Sequence, residues 1–106
     1  MKNTNKYGFI SGGYIFDLLD RKALEAINEA YPETKDQQIY TKVGSIVYKK
    51  QLCNTENIKT NTEYIAKKNN EYFVCVVLEQ DGTRIADVMF TFARADHNYC
   101  EIKETK

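Results

Sequence analysis

From residue 12 to about residue 31 the apolar side chains Ile15, Phe16, Leu19, Ala23, Ile27 and Ala30 recur at steps of three and four, the period that gathers them on one side of an α-helix. Ser11 stands where a side-chain oxygen can cap the first turn, and Pro32 drives Tyr31 out of the helical region, so both ends carry a stop signal. Downstream the period changes to two. Over residues 38–49, Ile39, Thr41, Val43, Ser45 and Val47 alternate with Tyr40, Lys42, Gly44, Ile46 and Tyr48, which predicts a long strand. Three more strands are predicted over residues 58–66, 72–78 and 83–94, the last rich in β-branched and aromatic residues. The connections Lys67-Lys68-Asn69-Asn70 and Gln80-Asp81-Gly82 are short and hold residues that accept positive φ, so consecutive strands are expected to pair as antiparallel hairpins. The expectation is one α+β domain over residues 1–106, an antiparallel sheet wrapped around one long helix, with its core at about 7–96 and weakly structured polar tails at 1–6 and 98–106.

One residue disturbs the helical pattern. With Ile15 at zero on a wheel of about 100° per residue, Ala26, Leu19, Ala30, Ala23, Phe16, Ile27 and Leu24 fill one broad arc, and Asp20 falls inside it. Asp17, Asn28, Arg21, Glu25, Glu29 and Lys22 occupy the other side, and Leu18 alone breaks the partition. A carboxylate on a core-facing arc loses hydration, which raises its pKa or costs several kcal/mol unless a partner compensates. Two readings stay open: an acid bonded to a strand amide or a lysine, or a catalytic carboxylate tuned toward basicity. Just upstream, in Ser11-Gly12-Gly13-Tyr14, two glycines open the helix and leave its first N–H groups free of side-chain cover. Tyr14 is neither Glu nor Gln, so no capping box competes for those donors. Glycine lets a ligand approach the backbone closely, and equally permits a tight turn or close helix–sheet packing.

Composition narrows the options. Fifteen basic residues balance fifteen acidic ones, which speaks against nucleic acid or an anionic membrane as partner. No run nears the roughly 20 apolar residues of a membrane span, and the polar opening carries no apolar signal core; a soluble, cytoplasmic protein is expected. Cys53, Cys75 and Cys100 are odd in number and share no CxxC spacing, so three reduced thiols are expected rather than a disulfide or zinc site. A chain of 106 residues buries a modest share of its surface alone, which makes self-association plausible.

The stretch Gly12-Gly13-Tyr14-Ile15-Phe16-Asp17-Leu18-Leu19-Asp20 resembles the glycine-led helix of hotdog-fold acyl-CoA thioesterases, with an aspartate eight positions after the first glycine. The strand at 40–50, the hairpin at 58–78 and the closing segment at 88–96 are similar to the rest of such a domain. The resemblance implies a thioesterase acting on acyl-CoA or acyl-carrier-protein esters, without a cofactor. It gives Asp20 the role of nucleophile or general base, and the N–H of Gly12 that of oxyanion donor. Gly13, Tyr14, Lys49 and Lys50 become candidate substrate contacts; the lysines, with Lys67 and Lys68 in the hairpin, could meet coenzyme A phosphates or remain solvated turn residues. Eight residues of helix separate Gly12 from Asp20 by about 12 Å, too far to serve one carbonyl, so each site would draw on two chains. This agrees with the dimeric sites of the family, and a homodimer or homotetramer is expected.

A thiolate leaves without strong acid assistance, so no histidine is demanded, and His97 sits in the predicted C-terminal tail. Two other functions fit the same fold: a non-catalytic acyl-CoA-binding regulator, for which the residues before Tyr7 supply no DNA-binding segment, and a dimeric interaction module in which Asp20 is simply paired off.

Overall fold

The computed structural model describes residues 8–95. The tails expected at either end, with Asn5, Tyr7, Asp96, His97 and Cys100, lie outside the described residues. One helix, α1 (Gly12–Ala30), is followed by a 3₁₀ turn (Pro32–Asp36) and four strands: β1 (Ile39–Tyr48), β2 (Ile58–Lys68), β3 (Glu71–Gln80) and β4 (Thr83–Arg94). The strands form one antiparallel sheet in the order β1-β4-β3-β2. β1 and β2 are thus its edges.

Helix α1 begins at a true cap, since the Ser11 side chain accepts the Tyr14 N–H at 3.2 Å, an arrangement that contributes about 1 kcal/mol. Ile15, Leu19, Ala23 and Ile27 are its buried stripe. They press onto Val74, Val76 and Leu78 of β3 and onto Ile85, Ala86, Val88, Phe90 and Phe92 of β4. Each Leu or Ile so buried contributes about 1.5–3 kcal/mol, so the two central strands and this stripe carry most of the stability. The 3₁₀ turn after Pro32 was not foreseen from the sequence. It is held by buried Thr34, whose hydroxyl lies 2.6 Å from Asn28 Oδ1 and 2.8 Å from the Tyr31 carbonyl.

The hairpins close as their turn residues predict. Asn69 takes φ 57°, and Asp81 and Gly82 take 52° and 81°, the pair of positive values that a type I′ turn needs. β2 and β3 run further into their shared turn than the sequence pattern indicated, to Lys68 and from Glu71.

Strict alternation along β1 is corrected by the structure. The register with β4 shifts between Thr41 and Val43, so Lys42 is an extra, bulged residue. Thr41 precedes the shift opposite Phe92; beyond it Gly44, Ile46 and Tyr48 stand opposite Phe90, Val88 and Ala86. All four belong to the helix side of the sheet. Val43, Ser45 and Val47 therefore turn to the other side. There Ser45 and Val47 share a hollow with Met89 of β4 and Cys75 and Val77 of β3, beside ion pairs of Arg84 with Glu63 and Asp87.

Candidate active site

Three contacts join α1 to β1, and they fall one helical turn apart. Thr41 Oγ1 donates to Asp20 Oδ1 at 2.8 Å. Phe16 lies over Gly44, where a β-carbon would come within 2.7 Å of the ring's Cζ and 3.0 Å of Phe90. The Tyr48 hydroxyl donates to the Gly12 carbonyl at 2.7 Å. Residues 12, 16 and 20 form an i, i+4, i+8 row on one helix face. The strand runs past that row in the opposite direction, touching it at 48, 44 and 41. Gly44 is the fulcrum: its missing side chain lets the Phe16 ring pack edge-on against Phe90, centroids 5.2 Å apart, and so brings the helix down onto β1.

Asp20 differs from the expectation that its carboxylate is core-buried. It is half-buried, set on the helix face between Phe16 and Leu24, which are themselves only partly buried, and its partner is the Thr41 hydroxyl rather than a lysine or a backbone amide. A hydroxyl donor fixes one carboxylate oxygen without neutralising the charge. The second oxygen stays accessible, which suits proton abstraction or nucleophilic attack.

At the helix start, Ser11 occupies the N–H of Tyr14 through its side chain and that of Ile15 through its carbonyl, at 3.2 and 3.3 Å. The N–H groups of Gly12 and Gly13 are left without a partner among the described residues, at the positive end of a 19-residue helix. The two glycines differ. A β-carbon on Gly12 would lie 3.1 Å from the Tyr48 hydroxyl oxygen, whereas one on Gly13 would meet nothing within 4 Å. Tyr14 leans against the core rather than outward.

Lys49 and Lys50 follow β1, and both their N–H groups bond the Ile85 carbonyl, at 2.7 and 3.2 Å. Together with Phe9, Tyr48, Gln51 and Cys53 they line an open hollow of about 640 Å³ beside the helix start. Their charges are not equivalent. The Lys49 ammonium sits 3.7 Å from Asp87 Oδ2, while Lys50 has no ion pair among the described residues. The hairpin lysine Lys67 is engaged elsewhere, 3.2 Å from Glu33 and over the Tyr72 ring.

Sequence reasoning missed Thr41 as a site residue and read Tyr48 only as one position in the alternation of the first strand. Both contacts bridge residues 21 and 36 positions apart, and no local pattern encodes the crossing of helix and strand that makes them. Among the described residues no group of His, Cys, Asp and Glu is placed to hold a metal ion, and no helix is long and apolar enough to cross a membrane.

No protein-family profile and no curated protein sequence matches the chain. Solved structures do. A predicted thioesterase from Bacillus stearothermophilus superposes with a TM-score of 0.74 at 14% identity, over 95% of this chain and 76% of its own. A gentisyl-coenzyme A thioesterase gives 0.73 at 17%, over 90% and 81%. A Bacillus halodurans protein crystallised with CoA gives 0.73 at 20%, over 87% of this chain and 60% of its own. Helix, strand order and superposition together define the class: this chain has the hotdog fold, one long helix packed on a four-stranded antiparallel sheet.

Proposed function

We propose that the protein hydrolyses acyl-CoA thioesters, or the equivalent esters of an acyl carrier protein, to free acid and thiol. The observation that carries this reading is the Asp20 carboxylate, held by Thr41 at 2.8 Å on the same helix whose Gly12 and Gly13 N–H groups have no partner among the described residues. The company of thioesterases among the structural neighbours, one of them acting on a coenzyme A ester by its description, supports the substrate class. In the reaction the carbonyl oxygen takes up charge against N–H donors at the helix start. Asp20 either removes a proton from the attacking water or attacks the carbonyl itself to give a mixed anhydride that water then opens. The C–S bond breaks and the thiolate departs.

Donor and carboxylate stand about 12 Å apart along one helix, so a complete site takes Asp20 from one chain and the helix start from another. The edge strand β1 supports such pairing. Among the described residues its outer backbone groups have no strand neighbour, and Tyr40, Val43 and Val47 on it are 49–57% exposed, the kind of edge that recruits another strand. A homodimer, or a tetramer built from two, is the working assembly in this proposal, in the cytoplasm. Lys50, beside the helix start and without an ion pair among the described residues, is favoured over Lys49 for a coenzyme A phosphate.

The test is hydrolysis of short, medium, long and aromatic acyl-CoA esters by the purified protein and by Asp20→Asn, with thiol release corrected for the protein's own cysteines. Activity in the parent that falls at least a hundredfold in a folded Asp20→Asn supports the reading. Equal rates in the two proteins would sink it.

A further inference from the structure

Between α1 and β1 runs a lane whose three rungs differ in what fills them. At the Asp20 end a hydroxyl meets a carboxylate, and at the Gly12 end a phenol meets a carbonyl; the middle rung is apolar. There Gly44 gives the strand no side chain, and the Phe16 ring takes the space instead, edge-on to Phe90. Behind the ring the core is closed, since Phe90 is fully buried. In front the rung is open, for Phe16 is half-buried and Gly44, on the outer strand, is exposed. The ring is thus an apolar wall that a ligand reaches from the open edge of the sheet and that packed side chains support from within.

Phe16 precedes Asp20 by one helical turn, about 6 Å along the axis. A thioester whose carbonyl lies at Asp20 needs apolar cover for its acyl half, while the polar carrier half stays in water. Toward the helix start that cover is the Phe16 ring. Toward the helix end the lane stops, because β1 begins at Ile39, two residues before Thr41. The wall also sets a length: about 6 Å holds an acyl chain of roughly four carbons at bonds of about 1.5 Å, and a longer chain has to displace a ring whose retreat Phe90 blocks. Resting on the thioesterase reading, we infer that Phe16 determines acyl specificity: its ring, seated over Gly44, ends the apolar lane one turn from Asp20 and restricts the enzyme to short acyl groups. The missing side chain at Gly44 is what makes the slot deep enough for a ring, and a smaller residue at position 16 turns the same slot over to the substrate.

The test is kcat/KM for acetyl-, butyryl-, octanoyl- and decanoyl-CoA in wild type, Phe16→Leu, Phe16→Ala, Leu24→Ala and Asp20→Asn. The quantity read is the ratio of the decanoyl to the butyryl constant within one preparation, from which any unfolded fraction cancels. Wild type should favour butyryl by at least about tenfold, and Phe16→Ala, which vacates the slot over Gly44, should raise the decanoyl-to-butyryl ratio by at least about tenfold, with Phe16→Leu between them. Leu24, also half-buried and one turn from Asp20 on the other side, is the matched control, and Leu24→Ala should leave the ratio within about twofold of wild type. A wild-type optimum at octanoyl or decanoyl, a ratio unmoved in Phe16→Ala, or a ratio moved as far by Leu24→Ala overturns the inference. In each of those cases an inactive Asp20→Asn leaves the thioesterase reading standing; if wild type and Asp20→Asn do not differ on any ester, both fall together.

Discussion

Thr41 and Asp20 meet across the seam between strand and helix, hydroxyl to carboxylate at 2.8 Å, and the bond determines which carboxylate oxygen is left to react. Oδ1 is occupied; Oδ2 has no partner among the described residues. The expected consequence is that Thr41→Val, similar in shape but without the donor, lowers kcat on acyl-CoA esters by about tenfold, or about 1.4 kcal/mol of transition-state stabilisation. Thr41→Ser, which keeps the hydroxyl, should recover most of it. Parallel kinetics of the three proteins check this, and a Thr41→Val enzyme as fast as wild type would remove the bond from the mechanism.

Gly44 is predicted to be among the least replaceable residues of β1. A methyl there would enter the space of the Phe16 ring and the edge of Phe90, and overpacking of that kind costs about 1–3 kcal/mol. Gly44→Ala should therefore lower the urea midpoint with little change in slope. Combining it with Phe16→Leu, which withdraws the ring, should cost less than the sum of the two single changes.

How much of this could be read in the chain depends on what each residue faces. The helix was legible because Ile15, Leu19, Ala23 and Ile27 are all buried on one side, and the hairpins because Asn69, Asp81 and Gly82 declare their turns. β1 was legible as a strand but not in its facing. Almost every residue in it is exposed in the single chain, so no buried set fixed which side was which, and the bulge at Lys42 went unseen. Asp20 was legible as an anomaly on the wheel, while its degree of burial depends on how far the helix rolls against the sheet. Gly12 and Gly13 looked alike as letters; only the neighbouring phenol distinguishes them.

The open edge makes a prediction about mass. In the proposed dimer, Val43→Lys together with Val47→Lys sets charge along the rim of β1 and should shift sedimentation from an oligomer to the 12.3 kDa chain, with hydrolysis lost in step. A wild-type protein that sediments at 12.3 kDa throughout the range of the assay would contradict the shared site.

The cysteines should differ in reactivity. Cys53 is exposed, whereas Cys75 is half-buried on the sheet, and burial, reinforced by the nearby Glu63 carboxylate, raises its thiol pKa. Alkylation proceeds through the thiolate, so peptide mapping after brief iodoacetamide treatment near pH 8 should find Cys53 modified before Cys75. The sign for stability follows from the raised value: the contribution of the buried neutral Cys75 thiol is complete below the ordinary thiol range of about 8.5 and is lost as pH climbs through the higher folded value. Equal labelling of the two at pH 8 would mean that the sheet opens at Cys75.

The extra residue at Lys42 gives β1 two phases. Its first part is in step with the middle of the helix, through Thr41, and its last part with the start, through Gly44 and Tyr48. A strand of unbroken pleat could satisfy one of these and would turn the other to the far side. Were Lys42 paired into the pleat instead of bulged, Thr41 and Tyr48, seven positions apart in the sequence, would fall on opposite sides of the sheet, parting the hydroxyl for the carboxylate from the hydroxyl for the helix start. The insertion thus acts as punctuation: it sets the frame in which the residues after it are read by the helix, and Glu71, ion-paired with Lys42 across the sheet, holds that frame in place.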